Sequence, residues 1–481
     1  MKKNIFKIAM TWFALVIMTG CADYLNEPKP TTSVDEGLIY SSREAAEAHL
    51  AGITRLSRAV YNSVSSANLS TIYCARSLKG NDFISIPGNA WYRSDYDYTD
   101  LFENGIRSWF TWVFMYDVIQ QINVFINGVT NSETISSLDK TQLLGQARTW
   151  RAYCYFELSL EFNLTYQKDP EALAPPIYLE VTAEGKPMST LNQIYNEVII
   201  PDLQFAVDNL DETRLVKSFI NVHVAEGLLA RVYQVTGNWP LAEEMAHRAE
   251  EMAHRAYGGV VNNALAASSY IDGFDDFTNT EWIWGMQNTT DQTASWYISP
   301  STISDHVNGY YKSLFVNANF VNQFSATDVR NTFFEVNNVT DYRQYATTKF
   351  TFDFESDMVL MRTAEMILIE AEAMFRNNKA ADAHNLLFAL QYNRDPSAVK
   401  SSNTGDALME EILLERRKEL YLEFGVEWYD AKRLQRGITR DAKHSIIVNL
   451  VPNDPRFVVY VPLEELNSNP NIDESVNQRW Q

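Results

Sequence analysis

Residues 412–437, ILLERRKELYLEFGVEWYDAKRLQRG, constrain the fold of this chain more than any other stretch. Leu413, Leu420 and Phe424 follow the apolar spacing of a helix. Glu415, Glu419 and Glu423 repeat at i,i+4 and raise a carboxylate ridge along one face, with Arg416 and Arg417 set against Glu419 and Glu423. A second amphipathic segment, Trp428-Tyr429-Asp430 to Leu434, restarts after Gly425. The pattern predicts a buried, charge-laced helical hairpin, which is scaffold and not chemistry.

Similar pairs recur upstream. Ala230, Tyr233, Gly237 and Ala242 carry the tetratricopeptide spacing of two helices with glycine at the turn, and Ala371, Met374, Asn378 and Ala383 repeat it. Asn is a workable substitute for Gly at a left-handed turn position. Further helices are predicted from Ser42 towards Tyr61 and over 105–128, 141–163 and 191–210. Between the repeats, residues 272–345 turn rich in Asn, Thr, Ser, Asp and aromatics, with one short strand at 281–284. Trp282 and Trp284, one strand period apart, are expected on one face of it and in the core. Tyr153, Tyr155 and Phe156 are expected in a helical core. Helix pairs of this kind need neighbours to bury their faces, so residues 41–481 are expected to form one mostly α domain. Its architecture is a tetratricopeptide-like helical-hairpin scaffold with long irregular insertions and a few short strands.

The ends of the chain read differently. Lys2, Lys3 and Lys7 precede an apolar run over 8–18 that is too short to span a bilayer, and Thr19-Gly20-Cys21 closes it. Residues 1–20 read as a signal peptide. Residues 21–40, polar and carrying Pro28 and Pro30, read as a flexible tether. The formal net charge of -21 argues against nucleic acid, because phosphate recognition wants the opposite sign. Three cysteines cannot frame the fold with disulfides. Cys154 is expected as a small buried hydrophobe, and spacing does not decide whether Cys74 pairs with it.

Several of these segments together resemble the SusD/RagB family of outer-membrane nutrient-binding lipoproteins. The stretch at 412–437 resembles the family pattern ERRxELxxEGxRWYDLxR at Glu415, Arg416, Arg417, Glu419, Leu420, Glu423, Trp428, Tyr429 and Asp430, departing at Phe424-Gly425-Val426-Glu427. Trp112, Tyr116, Ile119 and Asn123 match a second motif. Ala147, Arg148, Arg151, Ala152, Tyr153, Tyr155, Phe156 and Leu158 match a third. Asp454-Pro455-Arg456 with Asn469-Pro470-Asn471 resembles the family's C-terminal close. Thr19-Gly20-Cys21 resembles a bacterial lipobox, which implies lipid attachment at Cys21 and an anchor of two or more acyl chains in the outer membrane. The resemblance also implies a surface-exposed protein with a SusC-like TonB-dependent transporter as partner, and a glycan or, in some members, a peptide as ligand.

Among catalytic signatures, the sequence has no nucleophile elbow, phosphate-cradling loop, dinucleotide fingerprint or HExxH helix. Chance carboxylate pairs are expected among 61 acids, so they do not identify a glycosidase. Asp95, Asp97 and Asp100, or the acids at Asp272, Asp275 and Asp276, could hold calcium, but neither set has the full alternating ligand loop. His247 and His254 match no standard zinc helix and are expected as exposed helix residues, so neither a catalytic nor a metal site is assigned and no cofactor is expected.

Binding fits the residues better. Sugars offer an apolar C–H face and a rim of hydroxyls, which suit aromatic rings flanked by Asn, Asp and Arg. Two loops supply both types. One holds Asn81, Asp82, Trp91, Tyr92, Arg93, Tyr96 and Tyr98; the other holds Trp296, Tyr297, Asn308, Tyr310 and Tyr311. In the family, ligands bind on insertions in these two regions. A peptide ligand, a surface glycosidase and a purely structural scaffold remain alternatives to glycan binding.

Overall fold

The computed structural model describes residues 36–88, 90–256, 267, 270–272, 274–289, 300–336 and 339–480. Residues 1–20, Cys21 and most of the expected tether lie outside the described residues, as do Trp296 and Tyr297. The body begins within the stretch expected as tether. A helical turn at Glu36–Ile39 leads into Tyr40, whose buried ring meets Phe125 edge-on at 6.1 Å.

Helix α1 (Arg43–Thr54) starts where Ser42 Oγ accepts the Ala45 N–H at 3.2 Å. It ends earlier than the expected run to Tyr61, passing into a tighter turn at Arg55–Ser57. Helix α2 (Leu69–Lys79) is capped reciprocally by Asn68 and Thr71 and is buried throughout. Helices α3 (Ile106–Asn131) and α4 (Ser137–Phe162) form a long hairpin, and α5 (Ile200–Asn209) packs on α4. Tyr153, Tyr155 and Phe156 on α4 are core residues, as expected.

The two repeat units fold as the spacing implies. Helix α6 (Val222–Thr236) ends at Gly237 with φ +77°, and α7 (Trp239–Ala256) turns back. Helix α8 (Thr363–Arg376) and α9 (Ala380–Arg394) do the same around Asn378 at φ +63°. Both turns need the left-handed conformation that Gly and Asn adopt most easily. Helix α7 packs against α6 on one side and α8 on the other, so the pairs stack into one continuous scaffold.

Helix α10 (Asp406–Leu420) and α11 (Val426–Arg433) are the hairpin of the charged stretch. Its ridge does not pair with Arg416 and Arg417. Glu419, wholly buried, instead receives Arg362 at 2.9 Å, Arg394 at 2.8 Å and Arg330 at 3.1 Å. Glu423 receives Lys349 and Arg362, each at 2.7 Å. Arg416 turns to Asp430 at 3.0 Å, while Arg433 bridges Asp430 and Glu372. Apart from Arg433 with Asp430 on α11, each of these charges finds its partner on another element, because a buried ion survives only where hydrogen bonds surround it.

A small antiparallel sheet carries the loops. Strands β1 (Phe83–Ser85), β2 (Trp282–Met286), β3 (Leu314–Val316), β4 (Phe333–Glu335), β5 (Tyr345–Thr347) and β6 (Met358–Arg362) form two groups. One is a four-stranded sheet in the order β1-β3-β5-β4, with Phe83 opposite Val316 and Ser85 opposite Leu314. The other pairs β2 with β6. Trp282 and Trp284 are both buried, as expected, but they do not share a face. The β2–β6 register shifts between them, so Trp284 packs on Trp150 at 5.0 Å while Trp282 joins the loop core near Phe274. The cysteines Cys74 and Cys154 are buried free thiols.

Candidate functional site

The two loops singled out in the sequence meet at the edge of the four-stranded sheet. Strand β1 leads into the first loop and β3 follows the second, and their pairing brings Trp91 against Tyr311. These rings are 5.6 Å apart at 75°, and Tyr311 meets Tyr310 at 5.2 Å and 90°. Tyr310 is 65% exposed, whereas Trp91 and Tyr311 are half-buried. An array of rings with its outer face in solvent is what an apolar sugar face or a peptide side chain can stack on.

The other tyrosines of the first loop point inward. Tyr92, Tyr96 and Tyr98 are buried, which removes them from a contact surface and makes them anchors of the loop. The Tyr92 hydroxyl donates to the Val64 carbonyl at 2.7 Å, and the Tyr98 hydroxyl donates to the Lys79 carbonyl. Tyr92 and Tyr98 also take left-handed backbone angles, at φ +64° and +58°, at the two ends of the short helical turn Arg93–Asp97. Tyr96 lies under the Arg440 guanidinium, 3.9 Å from the ring centre.

His444 ties these anchors together. Burial and the nearby Arg440 push it down to about 4, so it is neutral at pH 7 with one N–H. With that proton on Nε2, the ring donates to the Asn81 carbonyl at 2.9 Å, and Nδ1 accepts from the Tyr96 hydroxyl at 2.9 Å. Neither His444 nor Arg440 belonged to the expected site, and nothing local in the sequence marks them.

The polar candidates divide the same way. Asp82 is buried and held by Arg417, so it serves the scaffold. Asn81 is half-buried, with its backbone tied to Glu427 and Asn317. Arg93 is half-buried, donating to Asp97 at 2.7 Å and to the Ser85 carbonyl at 2.8 Å. Asn308 is exposed; its amide nitrogen donates to Asp305 at 3.2 Å. Buried Asp305 accepts the Val307, Asn308 and Phe352 backbone N–H groups and shapes the second loop. The rings meet at Trp91, Tyr311 and Tyr310, and Arg93 and Asn308 stand two residues along the chain from Trp91 and Tyr310.

Asp95, Asp97 and Asp100, one of the two acid sets considered for calcium, are engaged by different groups. Asp95 pairs with Arg107 at 2.8 Å, Asp97 with Arg93, and Asp100 accepts the first N–H groups of α3 at Ile106 and Arg107.

A second concavity, a cleft of about 340 Å³, lies along α3 between residues 178–185 and the C-terminal segment. Trp112, Tyr116 and Tyr178 line it with Asp117, Glu180, Glu184 and Glu465. Trp112 Nε1 donates to Glu465 at 3.2 Å, and Asn123 donates to the Tyr178 carbonyl at 2.9 Å. From the sequence, Trp112, Tyr116 and Asn123 read only as a motif on a predicted helix. Among the described residues, no helix is long and apolar enough to cross a membrane.

Residues 277–479 match the model of the SusD family, and residues 41–234 match a model described as starch-binding associating with outer membrane. A SusD-like carbohydrate binding protein of Bacteroides vulgatus superposes with a TM-score of 0.80 at 26% identity, covering 90% of this chain and 98% of that one. A SusD superfamily protein of Bacteroides thetaiotaomicron gives 0.76 at 22% identity, covering 90% and 99%. Surface glycan-binding protein A of Bacteroides fluxus gives 0.68 at 16% identity, covering 88% and 96%, a likeness of fold alone. No curated protein matches the chain.

Proposed function

The chain belongs to the SusD family, and on that premise we propose that it captures a glycan nutrient at the outer membrane and passes it to a TonB-dependent transporter. The observation that carries this reading is the array of Trp91, Tyr311 and Tyr310 at the junction of the two insertion loops. An exposed aromatic ring can stack on the C–H face of a sugar, and Arg93 and Asn308 suit its hydroxyls. Trp296 and Tyr297, candidates from the sequence of the same second insertion, lie outside the described residues. The carbohydrate-binding relative from Bacteroides vulgatus supports this ligand class. The helical stack gives a rigid frame and a broad face for docking on a barrel. A lipid anchor at Cys21 would hold the protein at the membrane. Binding and delivery, with no bond made or broken, need no catalytic group.

Calorimetry of residues 23–481 against a panel of glycans, with mixed peptides alongside, tests the ligand. Saturable glycan binding that weakens in Trp91→Ala, Tyr310→Ala or Trp296→Ala supports the proposal. Binding of peptides alone would move the ligand class to peptides, and no binding at all would overturn capture by the isolated protein. Delivery is tested separately: failure to co-purify with a barrel protein from native membranes would count against it.

A further inference from the structure

We propose that His247, Glu250 and Glu370 form a binding site for a divalent transition-metal cation of the zinc class, bridging α7 and α8. His247 and Glu250 stand at i,i+3 on α7, and Glu370 faces them from α8. His247 Nδ1 lies 3.1 Å from a Glu370 oxygen and 3.8 Å from a Glu250 oxygen, and one donor atom from each residue falls within 4.8 Å of the others. Two donors bound tetrahedrally to one zinc ion at about 2.0–2.2 Å stand roughly 3.3–3.6 Å apart. The trio is therefore close to ligand spacing before any ion is placed.

The surroundings favour a cation. Both carboxylates are nearly buried, at 1% and 5% side-chain exposure, while His247 is 60% exposed. Two carboxylates buried side by side offer a cation several oxygen donors in one place. The flanking cations are directed elsewhere: Lys379 to Glu243 and Arg248 to Glu226, each at 2.6 Å. An open groove lined by Glu243, Glu244, His247, Glu370 and Met374 gives access, so a fourth position can hold water or a partner's donor atom. The donor set selects among metals. Imidazole with carboxylates suits zinc and its neighbours, whereas calcium takes six to eight oxygens. The sequence alone points away from this site, because Glu370 lies on another helix. His254, considered with His247, has a side chain outside the described residues. An ion here would fasten the two repeat units of the scaffold, independently of any ligand on the aromatic loops.

The test uses full-length protein stripped with EDTA and titrated with zinc chloride, with calcium and magnesium chloride as controls. The expected result is uptake of about one zinc ion per chain, with a thermal midpoint raised by several degrees at saturation. Uptake should weaken at least about tenfold in His247→Ala, an exposed change, and in Glu370→Gln, which keeps the side-chain shape. Circular dichroism establishes that both variants are folded. No saturable uptake, wild-type uptake in both variants, or equal binding of calcium would each overturn the site.

Discussion

Arg394 Nη2 donates to Glu419 Oε1 at 2.8 Å with neither side chain exposed, and Arg362 and Arg330 reach the same carboxylate. Three guanidiniums on one carboxylate are tolerable only because Glu281, Glu415, Glu423 and Asp328 neutralise them in turn. Burial opposes ionisation of Glu419, yet Arg394, Arg362 and Arg330 hold it well below the usual carboxylate range. Glu419→Gln removes the shared charge and leaves three buried cations short of a partner. It should cost about 3–5 kcal/mol, the range for breaking a buried pair from one side. Urea unfolding of both proteins measures it, and a loss below about 1 kcal/mol would mean that the network relaxes around the change.

Acid should unfold the protein through the same kind of group. Burial raises Glu161, but Lys79, Arg76 and Lys432 outweigh it and bring it down to about 2 from 4.5. The unfolded chain binds the extra proton first as pH falls, so this stability is fully present above pH 4.5 and disappears as pH drops through about 2. Glu161→Gln should lose about 3 kcal/mol at pH 7 and show a flatter stability–pH curve below pH 4.5. Unfolding midpoints at pH 7, 4 and 3 decide it; an unchanged slope would place the acid sensitivity elsewhere.

The helical hairpins were legible because their signals are local. Periodicity, Gly237 and Asn378 act within a few residues of where they stand. The ion network was not, since Glu419 meets Arg330 and Arg362 from across the chain and sequence spacing suggested only Arg416 and Arg417. The loops were legible as aromatic and polar, but composition does not separate an exposed ring from an anchoring one. Trp91 and Tyr92 are neighbours, yet only Tyr92 is fully buried, with its hydroxyl on the Val64 carbonyl far back in the chain. The bulge dividing Trp282 from Trp284 likewise depends on the partner strand.

That division of the rings is itself testable. Tyr92→Phe removes one buried hydrogen bond and should cost about 1 kcal/mol of stability, leaving saturated glycan binding intact. Tyr310→Ala, at a ring that is 65% exposed, should leave the unfolding midpoint nearly unchanged and weaken glycan binding about tenfold. Paired unfolding and calorimetric titrations separate the two. Equal losses of affinity would mean that the first loop must be held rigid for the array to work.

Gly425 and Gly237 offer a matched comparison, since both take φ +77°. A Cβ on Gly237 would meet the Gln167 side chain at 3.1 Å, a flexible neighbour that can yield. Gly237→Ala should therefore cost only the left-handed backbone strain, about 1 kcal/mol. A Cβ on Gly425 would stand 2.2 Å from the Arg76 Cβ and 2.8 Å from its carbonyl carbon. Arg76 is itself fixed by Glu157 at 2.7 Å and Glu161 at 2.5 Å, so yielding would pull a buried guanidinium from its carboxylates. Gly425→Ala should cost at least about 3 kcal/mol, combining strain with a disturbed buried pair. Denaturant unfolding of the two variants side by side measures the difference. Equal destabilisation would show that α2 can shift away from the turn, and that the contact between Gly425 and Arg76 does not set the geometry of the α10–α11 hairpin.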